Sequence, residues 1–242
     1  MRPASARFTS AAAALAALAF LGSWALLHRG FYAAEEIVDI PVYETYGNAI
    51  ERGSIPYRDF RLEYPPGALP VFTVAALASE DGDEAAFRQA FERVLALFGV
   101  AVVLLAALVL AGLRASRARV AAALALVAVF PLLLGNVVLT RFDLWPTALL
   151  VGALAALVWR RDRLGFGLLG AAVAAKLFPA VVVPLALAEV WRRRGRCRSR
   201  ASAPRSSSLR TTSPGWSSRC APATARRTSQ GPVPPSPPSC SA

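Results

Sequence analysis

Lys176 is the only lysine in the chain, and it lies inside an apolar stretch, residues 164–190. An ammonium at the bilayer centre costs about 2.5–3.5 kcal/mol, so such a residue faces a cavity, a partner or the headgroups. Two roles are open to it: a ligand for phosphate, which lysine binds as a point charge, or a hairpin tip reaching the outer headgroups. Arg141 and Asp143 stand two apart between two apolar runs. Asp143 could orient an acceptor or a metal ion. Alternatively, Arg141 and Asp143 could cap two helix ends, with the arginine snorkelling to the interface. Asp39 is one of seven acids in residues 35–63 and by itself reads first as solvation of a loop. Tyr43 follows it by four residues and shares its face if that turn is helical. Glu63 and Tyr64, just before a proline pair, are a carboxylate and a ring of the kind that hold sugars.

Other chemistries lack their parts. His28 is the sole histidine, and all three cysteines (Cys197, Cys220, Cys240) lie near the C-terminus, which leaves no ligand set for zinc. No glycine-rich phosphate loop follows a strand, and no serine nucleophile elbow occurs. A cytosolic nucleotide-sugar enzyme would need a soluble α/β domain that this sequence does not contain.

The elements that must position these residues are membrane helices. The 242 residues are 55% apolar and only 17% charged, against roughly 25% charged in an average soluble domain. The net charge of +12 is confined to one region: residues 192–242 hold 11 arginines and no acid, and residues 1–191 hold 16 Lys or Arg against 15 Asp or Glu. A basic nucleic-acid-binding fold is thereby excluded. Apolar runs at 11–27, 94–113, 120–140 and 144–159 approach the ~20 residues needed to span the hydrocarbon, the last being short. The first is too long for a signal-peptide core of roughly 7–15 residues and reads as an uncleaved span. Residues 66–78 are too short to cross, and 164–190 are too many for one span and too few for two. Both read as membrane-dipping elements, the second a hairpin turning near Lys176 and Pro179. Arginines cluster at positions 2 and 7, 114–119, 160–163 and 192–194. All four clusters can be cytoplasmic if residues 29–93, with 12 of the 15 acids, lie outside as one block.

The expected architecture is therefore an all-α polytopic membrane protein of the plasma membrane with a cytoplasmic N-terminus. It has four full transmembrane helices, two short membrane-dipping helical elements and a disordered basic tail. Its parts are 1–28 (N-terminus and first span), 29–93 (outer acidic and aromatic block), 94–191 (transmembrane bundle) and 192–242 (tail). Within the outer block, 42–52 can form a helix stopped by Gly53, and Pro65-Pro66 can start another. All five tyrosines lie in this block, where aromatic rings with polar tips suit the membrane–water boundary.

The motifs V-D-I-P-V-Y, P-Y-R-D-F and E-Y-P-P in the outer block, R-F-D-L-W-P-T-A-L-L at 141–150 and G-L-L-G-A-A-V-A-A-K-L-F-P at 167–179 together resemble glycosyltransferase family 87 of the GT-C superfamily, over roughly residues 10–195. The resemblance implies a GT-C-like N-terminal part. It also implies transfer of a hexose, mannose for preference, from a polyprenyl-phosphate donor to a lipid or glycan acceptor on the extracytoplasmic side. Asp39 matches the family's base after the first span. Asp143 becomes a second outer-loop carboxylate, Lys176 with Arg141 a phosphate-binding pair, and Tyr43, Glu63 and Tyr64 a sugar pocket. The resemblance fixes no cofactor, and the GT-C manner leaves room for a divalent cation at Asp143. The partners implied are the lipid-linked donor, the acceptor and membrane lipids, with no nucleic acid. Beyond Gly195, the Arg/Ser/Pro-rich composition cannot bury enough surface to order itself. It is what a GC-rich gene yields out of frame, so a C-terminally truncated, inactive fragment of such an enzyme is the expected alternative. A small transporter subunit is a third reading, weakened by the lack of polar residues distributed through the spans.

Overall fold

The computed structural model describes residues 3–29, 39–79 and 82–201, with side chains described as far as 193. Among these the regular structure is helical: α1 (Ala6–Leu26), α2 (Ile40–Glu51), α3 (Leu69–Leu77), α4 (Glu84–Gly112), α5 (Arg117–Leu134), α6 (Val137–Thr140), α7 (Leu144–Val158), α8 (Asp162–Ala175) and α9 (Val183–Ala201). The starts follow local chemistry. Ser5 Oγ accepts from the Phe8 amide at the head of α1, and Asp83 Oδ1 accepts from the Ala86 amide at the head of α4, each satisfying an otherwise orphaned N–H.

The protein is an all-α polytopic membrane protein. Helices α1, α4 and α5 are long and apolar enough to cross a bilayer, and large side chains along them such as Leu15, Leu97 and Leu133 are mostly exposed, as a lipid-facing surface requires. The fourth apolar run forms α7, whose 15 residues extend about 22 Å. The run 120–140 is not one continuous helix. Pro131 removes a ladder bond inside α5, and Gly135 at φ +63° ends it, after which α6 begins anew.

The outer block folds largely as its residues indicate. Helix α2 stops at Glu51, followed by Gly53 at φ +84°, and Pro66–Ala68 form a single 3-10 turn leading into α3. The 164–190 stretch breaks at Lys176, between α8 and a 3-10 turn, Phe178–Val182. Helix α9 continues through the arginine cluster to Ala201, past the boundary expected at 192. The rest of the tail, 202–242, lies outside the described residues.

By its contacts the chain divides into two units between Leu187 and Ala188. In the first, α1 packs on α4 and α5, α4 on α7, and α7 on α8, while α2 lies on α3 and α3 on α4. The second begins within α9, where Glu189 accepts hydrogen bonds from Arg192 and Arg193. Within the first unit the two ends of the bundle differ. At one end Ala4 donates to the Ala115 carbonyl (2.9 Å) and the Trp159 indole donates to Leu108 (3.1 Å). The arginine-bearing connections 113–116 and 159–162 therefore gather there with the start of α1. The opposite end carries the outer block and the residues singled out for chemistry.

Two close approaches fix that second end. A Cβ on Gly47 would sit 2.6 Å from the Phe72 carbonyl oxygen, and one on Gly67 would sit 2.6 Å from the Ala175 backbone nitrogen. Only hydrogen fits at either place, so α2 can lie against α3 and the 66–68 turn can touch the end of α8. The Gly67 carbonyl also accepts the Trp145 indole N–H at 2.8 Å, which ties the outer block to α7.

Candidate functional site

Four of the five charged residues of the candidate site sit at helix termini; Glu63 does not. Asp39 is the N-cap residue of α2, Arg141 follows α6 in extended conformation, Asp143 precedes α7, and Lys176 leaves the end of α8 in extended conformation. Helix ends leave backbone groups unsatisfied and side chains clear of the bundle. The break in each helix is therefore what frees these groups to converge.

They form two ion pairs. Arg141 Nη2 lies 3.1 Å from Asp39 Oδ2, and Lys176 Nζ bonds Asp143 Oδ1. The arrangement corrects one expectation: Arg141 reaches across to Asp39 in the outer block, not to its neighbour Asp143, and Asp143 makes no side-chain cap on α7. Asp39 Oδ2 is shielded from solvent, yet it accepts no hydrogen bond among the described residues; its contact with Arg141 is an ion pair by distance only.

Between the pairs stands Phe142, 1% exposed. Lys176 Nζ lies 5.2 Å from its ring centroid, within cation–π range. The same ring meets Tyr64, Phe72 and Tyr43 edge-on at 5.2, 5.4 and 5.8 Å. Tyr43 stacks on Phe72 at 4.5 Å. Burial first, then a hydrogen bond with Tyr64, pushes the Tyr43 phenol far up from its ordinary range, so it keeps its proton at any physiological pH. Tyr64 is held from the other side by Tyr57, whose hydroxyl donates to the Tyr64 carbonyl at 2.6 Å. Tyr57 itself has φ +66°, a left-handed conformation uncommon outside glycine.

Asp39, Tyr43, Tyr64, Arg141, Asp143 and Lys176 are thus brought together around one phenylalanine. Glu63 is set apart: it is exposed, and its backbone contacts the Tyr46 hydroxyl. Among the described residues no three His, Cys, Asp or Glu side chains converge on one point, and both site carboxylates already face a cation. Sequence reasoning missed Phe142, Phe72, Gly67 and Trp145. Two of these, Phe142 and Trp145, lie in the R-F-D-L-W-P motif that also supplies Arg141 and Asp143, so a segment carrying two charges between apolar runs was the available signal.

Chemically, two cations and two carboxylates of zero net charge surround an aromatic wall. Arginine and lysine are both groups that bind phosphate as well as carboxylate. Comparison with protein families matches residues 62–203 to glycosyltransferase family 87, more than half of the chain. Comparison with curated proteins and with solved structures gives no match.

Proposed function

The chain belongs to glycosyltransferase family 87 and is a membrane glycosyltransferase by family, and from that premise we propose that it moves a hexose, mannose in the first instance, from a polyprenyl-phosphate donor to a hydroxyl of a lipid or glycan acceptor. In this reading Arg141 and Lys176 bind the donor phosphate. Asp39 takes the proton of the acceptor hydroxyl as its oxygen attacks the anomeric carbon, and the carbon–oxygen bond to the phosphate breaks on the opposite face. The products are an inverted glycoside, polyprenyl phosphate and protonated Asp39. Asp143, released from Lys176, orients the acceptor. Tyr43 and Tyr64 form the wall against which the sugar stacks, and Glu63 contributes at most from its edge.

The observation that carries this reading is Asp39 Oδ2, shielded from solvent, without a hydrogen-bond donor among the described residues and 3.1 Å from an arginine. Such an oxygen has a lone pair to spare for a proton, and a phosphate can draw the arginine off it. Transfer on the extracytoplasmic face of the plasma membrane, with the N-terminus cytoplasmic, is supported by the arginine-bearing connections lying at the end opposite this site.

Donor class is tested with membranes containing the full chain, supplied with either radiolabelled polyprenyl-phosphate mannose or the corresponding nucleotide sugar in the presence of an inhibitor of polyprenyl-phosphate mannose synthesis. Label should enter the lipid or glycan fraction from the lipid-linked donor alone. Transfer from the nucleotide sugar under that block would overturn the donor assignment.

A further inference from the structure

A concave feature lies beside α6, and none of the residues of the two ion pairs lines it. Its volume is about 560 Å³, within the 300–1,000 Å³ of ordinary ligand pockets. Trp24, Leu27, Ala96 and Leu139 supply apolar walls, and His28, Arg88, Glu92 and Arg93 supply charge. Leu139 is only two residues along the chain from Arg141, yet none of the cleft's charged groups takes part in the Asp39 or Asp143 pairs.

The charged groups are organised. Glu92 accepts from Arg88 Nε at 3.2 Å and meets His28 Nε2 at 2.8 Å, while His28 Nδ1 faces the Trp24 carbonyl at 3.2 Å. Both ring nitrogens of His28 therefore have an oxygen partner. Arg93 is exposed and donates to Gln89 at 2.7 Å. Among the described residues one carboxylate stands against two arginines, which leaves the cleft cationic.

Its depth is set by the sequence. His28 follows the apolar run 11–27, and Arg93 precedes the run 94–113. The cleft thus straddles the level at which two spans meet the headgroups, its apolar walls toward the hydrocarbon and its arginines toward water. Trp24 at this level fits the aromatic belt of a membrane interface.

We propose that this cleft binds the phosphate of an anionic lipid headgroup, with Arg88 and Arg93 as its ligands and the first part of an acyl chain lying along Trp24 and Leu139. A soluble anion would use the arginines but gain nothing from the apolar walls; a lipid uses both. The site does not depend on the glycosyl-transfer reading.

The test is native mass spectrometry of the full chain, purified in neutral detergent and mixed with phosphatidylglycerol or phosphatidylcholine. One phosphatidylglycerol per chain should survive collisional activation that strips phosphatidylcholine. Retention should fall about tenfold for each arginine removed in Arg88→Gln/Arg93→Gln, the size of one charge-assisted bond. Arg93→Gln alone, at an exposed position, gives the reading without disturbing the Glu92 network. Inorganic phosphate in large excess should leave the lipid in place. Equal retention of the two lipids, unchanged retention in Arg93→Gln, or displacement by inorganic phosphate would each overturn the proposal.

Discussion

Phe142→Leu is the substitution that most sharply separates an organised site from a group of residues that merely share one end of the bundle. The Phe142 ring makes three edge-on contacts, with Tyr64, Phe72 and Tyr43. Each such pair contributes about 0.5–1.5 kcal/mol beyond area burial. The ammonium of Lys176 at 5.2 Å adds about 0.5–2 kcal/mol. The sum, roughly 2–6.5 kcal/mol, is an upper bound, because the four contacts share one ring and leucine retains most of the buried apolar area. A loss of about 2–4 kcal/mol is therefore expected, or roughly 5–15 °C in midpoint for a chain of this size. The assay is thermal unfolding in detergent followed by circular dichroism, beside Phe130→Leu as a control. Phe130 is 47% exposed on α5 and should move the midpoint by no more than about 2 °C. If the two variants unfold alike, the Phe142 ring does not organise its neighbours, and the site as described is wrong.

Gly67→Ala should destabilise by about 1–3 kcal/mol, because its Cβ meets the Ala174 and Ala175 backbone at 2.6 Å; the same unfolding measurement checks it. Trp145→Phe removes the 2.8 Å bond to the Gly67 carbonyl and should cost about 1 kcal/mol. Asp59 responds to pH: hydrogen bonds from Arg58 and from the Ile55 amide hold its carboxyl below the ordinary 3.8. The contribution is present above that value and is lost as pH falls through the lowered folded one. Hydrogen–deuterium exchange across 54–61, corrected for intrinsic rates, should therefore quicken in strong acid toward the level that Asp59→Asn shows at neutral pH.

Local rules made parts of this molecule legible. Gly53 marked the end of α2, the proline pair marked the turn into α3, and Pro179, three residues after the lone lysine, marked the break after α8, because glycine favours the left-handed turn that ends a helix and proline disfavours helical conformation before it. The interruption at Gly135 left a trace in Pro131 and the Gly135-Asn136 pair, but the apolar residues on either side outweighed it in a reading by run length. The pairing of Arg141 was hidden for another reason. Asp143 is its near neighbour in sequence, whereas Asp39 is brought to it only by the packing of α2 and α3 on α4. Phe142 could not be distinguished from a lipid-facing phenylalanine until three rings of the outer block were seen to surround it.

The central claim is that Asp39 removes the acceptor's proton. Steady-state transfer from radiolabelled polyprenyl-phosphate mannose, measured on membranes with matched amounts of wild-type chain and Asp39→Asn, tests it most directly. With Asp39 as the base, kcat should fall about 10²–10⁴-fold, the range for loss of a general base, while the donor KM should change little because Arg141 and Lys176 are both retained. Equal kcat in the two proteins would contradict it.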